Sequence, residues 1–123
     1  MGYHVVDPAA LEEHDDRPAS VKSISAAAGL DTLGLRRYRA APGQQIPLAF
    51  HYHDEQEEAF YVLAGELHVE TPVETFVVPA GRAFCVEPGN PHRAFNPADA
   101  GTDLEVLAMG APSVDDVHAY ERG

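Results

Sequence analysis

Short β-like runs separated by glycine and proline dominate the chain from Ser20 onward. The 123 residues include 10 glycines and 10 prolines, and turn-forming stretches at 41–43, 71–73 and 79–81 fall between the apolar runs. Apolar or alternating runs bounded by such residues predict strands. Many short strands with little helical periodicity predict an all-β fold, closed as an antiparallel barrel.

The predicted strands can be placed along the chain. They cover 21–27, 33–40, 48–53, 60–64, 67–70, 75–78, a run ending at 87, a run starting at 92, and 104–109. Asp7 followed by Pro8 is typical of a helix start, so at most a short helix is expected over 8–14, before Arg17-Pro18 ends it.

Two histidines lie two residues apart in the predicted strand 48–53. Because successive side chains of a strand alternate faces, His51 and His53 project to the same side, about 6 to 7 Å apart along the chain. Glu58 follows just beyond the acidic turn 54–57. Imidazoles and a carboxylate suit a divalent ion such as Zn, Fe, Mn, Ni or Cu, although a short His-x-His motif and an acidic turn also occur without a metal.

Two longer motifs contain these residues. The first reads His-x-His-x4-Glu-x6-Gly over 51–65, and the second reads Gly-x6-Pro-Gly-x2-His-x3-Asn over 81–96. In this order they resemble the paired motifs of the cupin superfamily. The resemblance implies an antiparallel double-stranded β-helix, or jelly-roll barrel, that binds a small molecule in its interior.

Carried onto these positions, the resemblance implies one divalent metal ion with four ligands, namely His51, His53, Glu58 and His92. Glu57 is the competing carboxylate, but the spacing to Gly65 favours Glu58. The sequence departs from the family pattern at Gly43, Arg82 and Glu87. These departures affect predicted loops and remove no ligand.

The length is that of a single domain over 1–123. We place the core barrel at about 20–110, with the N-terminal segment 1–19 and the tail 111–123 as extensions. The tail is acidic, and we expect it to pack loosely or to reach a partner through Val114, Val117 and Tyr120.

Negative charge dominates the composition. Asp and Glu number 20 against 8 Lys and Arg, which gives a formal net charge of −12, and Lys22 is the one lysine. Such a chain repels nucleic acid and anionic membranes. The balance looks like that of cytoplasmic proteins of halophiles, and the start of the chain lacks the features of a signal peptide.

A single cysteine, Cys85, cannot form an internal disulfide, which also favours the cytoplasm. It lies in the strand-like run 83–86, where a buried packing role is favoured over a reactive thiol. His68 shares a strand face with Glu66 and Glu70 and is expected to point to solvent.

The cationic cluster at 36–39 has two interpretations. In a strand, Arg37 and Arg39 share one face, while Arg36 shares the other with Tyr38. Salt bridges to the acidic surface are the favoured interpretation. An arginine that points into the barrel could instead bind a substrate carboxylate through two hydrogen bonds.

Both faces of the ligand strand are expected to meet something other than water. Leu48, Phe50 and Tyr52 lie opposite the two histidines and need cover, either from the N-terminal segment or from a second copy of the chain. A homodimer is therefore expected.

Three functions fit this sequence. The first is a metalloenzyme acting on a small organic molecule, of oxygenase, isomerase or epimerase type, with apolar walls from Phe60, Val62, Phe84 and Val86. The second is a non-catalytic module that binds a ligand or sequesters the metal. The third is a structural site in which the ion only joins strands.

Overall fold

The structure is a computed structural model that describes residues 2–12 and 19–121, and it confirms the all-β fold. These residues form ten strands: β1 Ser20–Ser23, β2 Gly34–Ala40, β3 Gln45–His53, β4 Glu57–Ala64, β5 Glu66–Glu70, β6 Thr75–Pro79, β7 Ala83–Val86, β8 His92–Phe95, β9 Leu104–Ala111 and β10 Val117–Ala119.

The strands form two antiparallel five-stranded sheets. One has the order β1-β2-β9-β4-β7 and the other the order β10-β3-β8-β5-β6. Strand alternation places one side of each sheet in the core. Val62 and Val106 come from the first sheet, Leu67 and Val69 come from the second, and all four are fully buried. Burial of each such side chain contributes about 1.5–3 kcal/mol relative to exposure, so the alternating pattern fixes which side of each strand faces inward.

Two predicted turn residues join the sheets. Gly65 connects β4 to β5 with φ of 80°, and a Cβ there would lie 2.8 Å from the Asp103 carbonyl oxygen. Asn96 follows β8 and donates from Nδ2 to the carbonyls of Ala40 and Thr102, both at 3.0 Å. This side chain therefore holds the loop that begins at Pro97.

The predicted strand 21–27 is wrong in its second half. β1 ends at Ser23, and a helix, α1, covers Ile24–Ala28. The Ser23 hydroxyl accepts from Ala26 N at 3.2 Å, and Gly29 closes the helix in the left-handed conformation. A serine cap and a glycine end signal favour this short helix over a longer strand.

The predicted N-terminal helix is shorter than expected. A single 3-10 turn covers Pro8–Ala10, and Asp7 caps it by accepting from Ala9 N. The end signal at Arg17-Pro18 and the residue His14 lie outside the described residues.

The tail is more ordered than the sequence predicts. β10 pairs with the ligand strand β3, and the Tyr120 ring packs on Phe50 with centroids 5.1 Å apart, while His118 stacks on Tyr52 at the same separation. The chain's own tail therefore supplies the cover expected for Phe50 and Tyr52, whereas Leu48 stays 37% exposed. The homodimer stays a prediction, but the need to cover Phe50 and Tyr52 no longer supports it.

The buried role expected for Cys85 is wrong. Cys85 is exposed because β7 directs Ala83 and Cys85 outward, whereas Val86 is buried. Among the described residues, no helix has the length and apolar character needed to cross a membrane.

Candidate metal centre

Adjacent strands bring the three histidines together. His51 in β3 and His92 at the start of β8 are cross-strand partners, and their ring centroids are 4.6 Å apart. His53 lies two residues further along β3, with its ring centroid 5.0 Å from that of His51. All three side chains are buried, so the imidazoles face the interior and not solvent.

The carboxylate comes from the facing sheet. Glu58 lies in β4 on the same face as Phe60 and Val62, whereas Glu57 is exposed. Glu58 Oε1 is 3.0 Å from Nε2 of both His53 and His92, and 4.0 Å from Nε2 of His51. The four side chains named at the sequence level therefore converge around one carboxylate oxygen.

An outer hydrogen bond orients each imidazole. His51 Nδ1 bonds the Ala49 carbonyl at 2.8 Å, His92 Nδ1 bonds the Asn90 carbonyl at 2.9 Å, and His53 Nδ1 bonds Asp116 Oδ1 at 2.8 Å. Carbonyl oxygens only accept, so Nδ1 of His51 and His92 must donate. In the neutral rings the proton is then on Nδ1, and the Nε2 lone pairs are directed at the shared centre.

Two of the converging atoms lack a hydrogen bond. Glu58 Oε1 and His92 Nε2 are buried and have no hydrogen-bond partner within the described part of the chain, although they lie 3.0 Å apart. Two lone pairs at this distance repel each other unless a proton or a cation lies between them. A buried acceptor left without a partner costs about 1–3 kcal/mol.

The donor set fits a divalent ion. One donor atom from each of His51, Glu58 and His92 lies within 4.8 Å of the others. Two ligands of one ion, each at about 2.0–2.2 Å, can be at most about 4.4 Å apart, and Glu58 Oε1 lies 3.0 Å from His92 Nε2 and 4.0 Å from His51 Nε2. His53 lies beside this group through its contact with Glu58. The cluster could therefore hold a metal ion.

Without a metal, a proton takes the central position. The ion pair with Glu58, reinforced by Asp116 and opposed by burial, raises the pKa of His53 to about 9. Burial raises the pKa of Glu58, but His53 and His92 outweigh it and lower that pKa to about 2. Burial lowers the pKa of His51 below 6.5. The metal-free cluster is thus a His53 imidazolium beside a Glu58 carboxylate.

Asp116 is a site residue that the sequence analysis missed. Its Oδ2 accepts from the backbone N–H groups of Glu55 at 2.7 Å and Gln56 at 3.0 Å, while Oδ1 holds His53. Burial opposes ionisation, but these donors lower the pKa of Asp116 to about 2. In the sequence it is one of several acidic residues in the tail, and only the pairing of β10 with β3 reveals its role.

A cleft of about 410 Å³ opens in front of the cluster. The cleft is lined by His51, His53 and Glu58. Of the four predicted wall residues, Phe60 lines the cleft and the other three do not. Val62 and Val86 are buried in the core instead. Phe84 packs on Phe76 with centroids 5.2 Å apart.

Two small residues of β9, Ala108 and Gly110, line this cleft. Across the inner face of the sheet, Gly110 pairs with both Glu58 and Gly34, and Ala108 pairs with both Phe60 and Arg36. A Cβ at Gly110 would lie 2.7 Å from the Gln56 side chain. The central strand therefore carries almost no side-chain volume beside Glu58.

The three arginines divide between the two faces, as their alternation predicts. Arg37 pairs with Glu105 at 3.1 Å, and Arg39 lies 3.9 Å from Asp103. Arg36 lines the cleft. The salt-bridge interpretation therefore applies to Arg37 and Arg39, and the substrate-binding interpretation can apply to Arg36.

His68 does not take part in the centre. The sequence analysis expected His68 to point to solvent, but the side chain is half-buried. Its ring packs against Phe95 with centroids 5.7 Å apart. It lines a separate cavity, which Asn96 and Thr102 also line.

An antiparallel double-stranded β-helix with a His/Glu cluster inside defines the cupin class. A family model described as Cupin domain matches residues 36–110, more than half of the chain. The chain belongs to the cupin family.

Solved structures support the same fold. A sugar phosphate isomerase of the cupin superfamily from Silicibacter pomeroyi superposes with a TM-score of 0.81 at 22% identity, covering 97% of this chain and 83% of that one. The polyketide cyclase RemF from Streptomyces resistomycificus has a TM-score of 0.79 at 21% identity, covering 98% and 87%. KdgF from Halomonas sp. has a TM-score of 0.75 at 21% identity, covering 94% and 97%. Comparison with curated protein sequences finds no match.

Proposed function

We propose that this chain is a metal-dependent enzyme that acts on a small organic molecule. One divalent ion is held by His51, His53, Glu58 and His92 at the inner end of the cleft. The observation that carries the proposal is the convergence of imidazole Nε2 atoms on one buried carboxylate oxygen, which lies 3.0 Å from Nε2 of both His53 and His92. Four protein ligands could fill a tetrahedral site, but an ion that takes five or six ligands keeps positions open for substrate.

The ion would supply Lewis acidity towards a carbonyl or hydroxyl oxygen of the substrate. The chain's own residues prepare that position. The Ala49 and Asn90 carbonyls fix the rings of His51 and His92, and the Asp116 carboxylate makes His53 a stronger donor. Phe60 lines the cleft next to Glu58 and limits the access of water to the cluster.

The names of similar structures include a cyclase and a sugar phosphate isomerase, so this fold supports more than one reaction type. Identities of 21% and 22% support the fold alone. The proposal therefore includes oxygenase, isomerase and epimerase reactions. The fold and the metal-binding residues do not choose among these reaction types.

Metal analysis of the purified chain, followed by dioxygen-uptake and small-molecule conversion screens, tests this function. We expect about one divalent ion per chain and metal-dependent product formation, with His51→Ala losing both. Saturable ligand binding that never yields product would favour the non-catalytic module instead. A wild-type chain that binds no divalent ion, or an ion that no added ligand reaches, would overturn the proposal.

We further propose that the chain is a single cupin domain that acts in the cytoplasm on a small molecule and not on nucleic acid. The net charge of −12 supports this partner assignment, because a phosphate backbone is repelled by such a surface.

A further inference from the structure

Arg36 is the cationic side chain that the described structure places in the cleft. It lies on the inner face of β2, in register with Ala108 of β9 and, beyond it, Phe60 of β4. Arg37 and Arg39 lie on the outer face and face Glu105 and Asp103. One arginine of the cluster therefore differs from its neighbours by lying on the cleft side of the sheet, where it stays exposed.

The Arg36 guanidinium reaches towards the row that contains Glu58. Its Nη1 lies 3.7 Å from the point where a Cβ of Gly34 would be, and Ser113 Oγ lies 3.7 Å from the same point. Gly34, Gly110 and Glu58 follow one another across the sheet. Two strand spacings of about 4.8 Å each then separate the backbones of Gly34 and Glu58 by about 10 Å.

The Arg36 guanidinium is exposed and forms no hydrogen bond or ion pair with the side chains that the structure describes. Asp115 also lines the cleft, yet the two side chains are not paired. In a chain with 20 acidic residues, a cation without a partner beside a cavity is available for a ligand. The planar guanidinium matches a carboxylate with two parallel hydrogen bonds.

We propose that Arg36 binds the carboxylate of the substrate, so that the cleft takes a small hydroxy- or oxocarboxylic acid. This deepens the proposed function and rests on it: the acid lies between the guanidinium and the metal centre, with its hydroxyl or carbonyl oxygen at the ion. Ser113, beside the guanidinium, can donate a further hydrogen bond to the carboxylate.

Calorimetric titration of the zinc-loaded protein with hydroxy- and oxocarboxylates, from lactate and pyruvate to citrate, tests the assignment. Each acid is compared with its neutral amide and with phosphoglycolate. We expect at least one acid to bind about tenfold or more tightly than its amide, and Arg36→Gln to remove that preference. Arg36→Lys should retain part of it, because the charge remains without the two-pronged geometry.

Arg37→Gln is the matched control, because it removes the same charge from the outer face of the same strand. It should leave the preference for acids unchanged, and zinc affinity should be unchanged in both glutamine variants. Acids that bind no better than amides, or that bind Arg36→Gln as well as wild type, overturn the inference. If phosphoglycolate binds more tightly than the acids and this binding depends on Arg36, the assignment of a carboxylate as the group bound by Arg36 is overturned.

The same titrations of the metal-free protein separate this inference from the proposed function. If the wild-type chain binds no zinc, the metal-dependent function fails on its own. An Arg36-dependent preference for acids in that metal-free protein would then still support the carboxylate site, and its absence would overturn it.

Discussion

Asp116 accepts a hydrogen bond of 2.8 Å from His53 Nδ1, although 63 residues separate the two in the sequence. The same carboxylate accepts from the backbone at Glu55 and Gln56. One side chain of the tail therefore fixes both a histidine of the cluster and the acidic turn after β3. The tail is part of the site and not an appendage to it.

Replacement of Asp116 by asparagine should weaken metal binding. The amide can still fill the space, but it cannot supply the charge that strengthens His53 as a ligand. Loss of an outer partner of this kind typically costs 10–100-fold in metal affinity, and we expect a loss of about that size. Competition with a chromophoric chelator measures it. Asp115→Asn removes the neighbouring charge without touching His53, so an equal loss in that variant would contradict the orienting role.

Glu58→Gln and Glu57→Gln form a second matched pair. The two residues are adjacent in β4, but Glu58 points to the histidines and Glu57 to solvent. Glu58→Gln should reduce metal affinity by more than about 100-fold, beyond the range for an outer partner. Glu57→Gln should leave it within about twofold, since a surface charge is screened by salt. Reversal of this order in the chelator assay would show that the wrong carboxylate has been assigned.

The metal-free protein should lose stability as the pH rises above neutrality. His53 has its pKa raised from 6.5 to about 9 by the ion pair with Glu58. A raised pKa stabilises the folded state fully below pH 6.5, and that contribution disappears as the pH passes through 9. At about 1.4 kcal/mol per pH unit, the loss is on the order of 3 kcal/mol. Urea unfolding of chelator-treated protein across this range measures it.

Zinc-loaded protein is the control for this pH dependence. If the ion replaces the His53 proton, the decline between pH 6.5 and 9 should largely vanish. The lowered pKa of Glu58 acts in a different window, because it stabilises the fold above pH 4.5 and the contribution is lost only as the pH falls towards 2. An unchanged decline in the loaded protein would show that the proton and the ion do not share one position.

Much of the scaffold of the site was predictable from local patterns. Alternation placed His51 and His53 on one face, whereas the choice of Glu58 over Glu57 and the inclusion of His92 came from the resemblance to the cupin motifs. Asp116 was beyond reach because its role depends on the pairing of β10 with β3, which no local pattern specifies. Cys85 points outward because it is adjacent in β7 to Val86, which points inward. A strand of four residues at the edge of a sheet is too short for its sequence to show which of its two faces is buried.

Gly65→Ala should destabilise the protein more than Gly81→Ala. Both glycines have positive φ, 80° and 86°, so alanine is strained at each. Only at Gly65 does the new Cβ also meet the backbone, 2.8 Å from the Asp103 carbonyl oxygen, whereas nothing lies within 4 Å at Gly81. We expect about 1–2 kcal/mol for Gly81→Ala and a further 1 kcal/mol or more, on the order of a tight steric contact, for Gly65→Ala. Equal unfolding free energies for the two variants would contradict the close approach of the Gly65 and Asp103 backbones.

Stability should rise with salt concentration. The described ion pairs, such as Arg37 with Glu105, weaken when screened, but 20 acidic residues against 8 basic ones leave a net charge of −12. Repulsion among the excess carboxylates is then the larger effect, and the screening length falls from about 30 Å at 0.01 M to about 3 Å at 1 M salt. The melting temperature should increase by several degrees from dilute buffer to molar KCl. Chelator-treated protein is used so that trace metal makes no contribution, and a flat melting temperature would contradict both the repulsion and the halophilic character inferred from the charge balance.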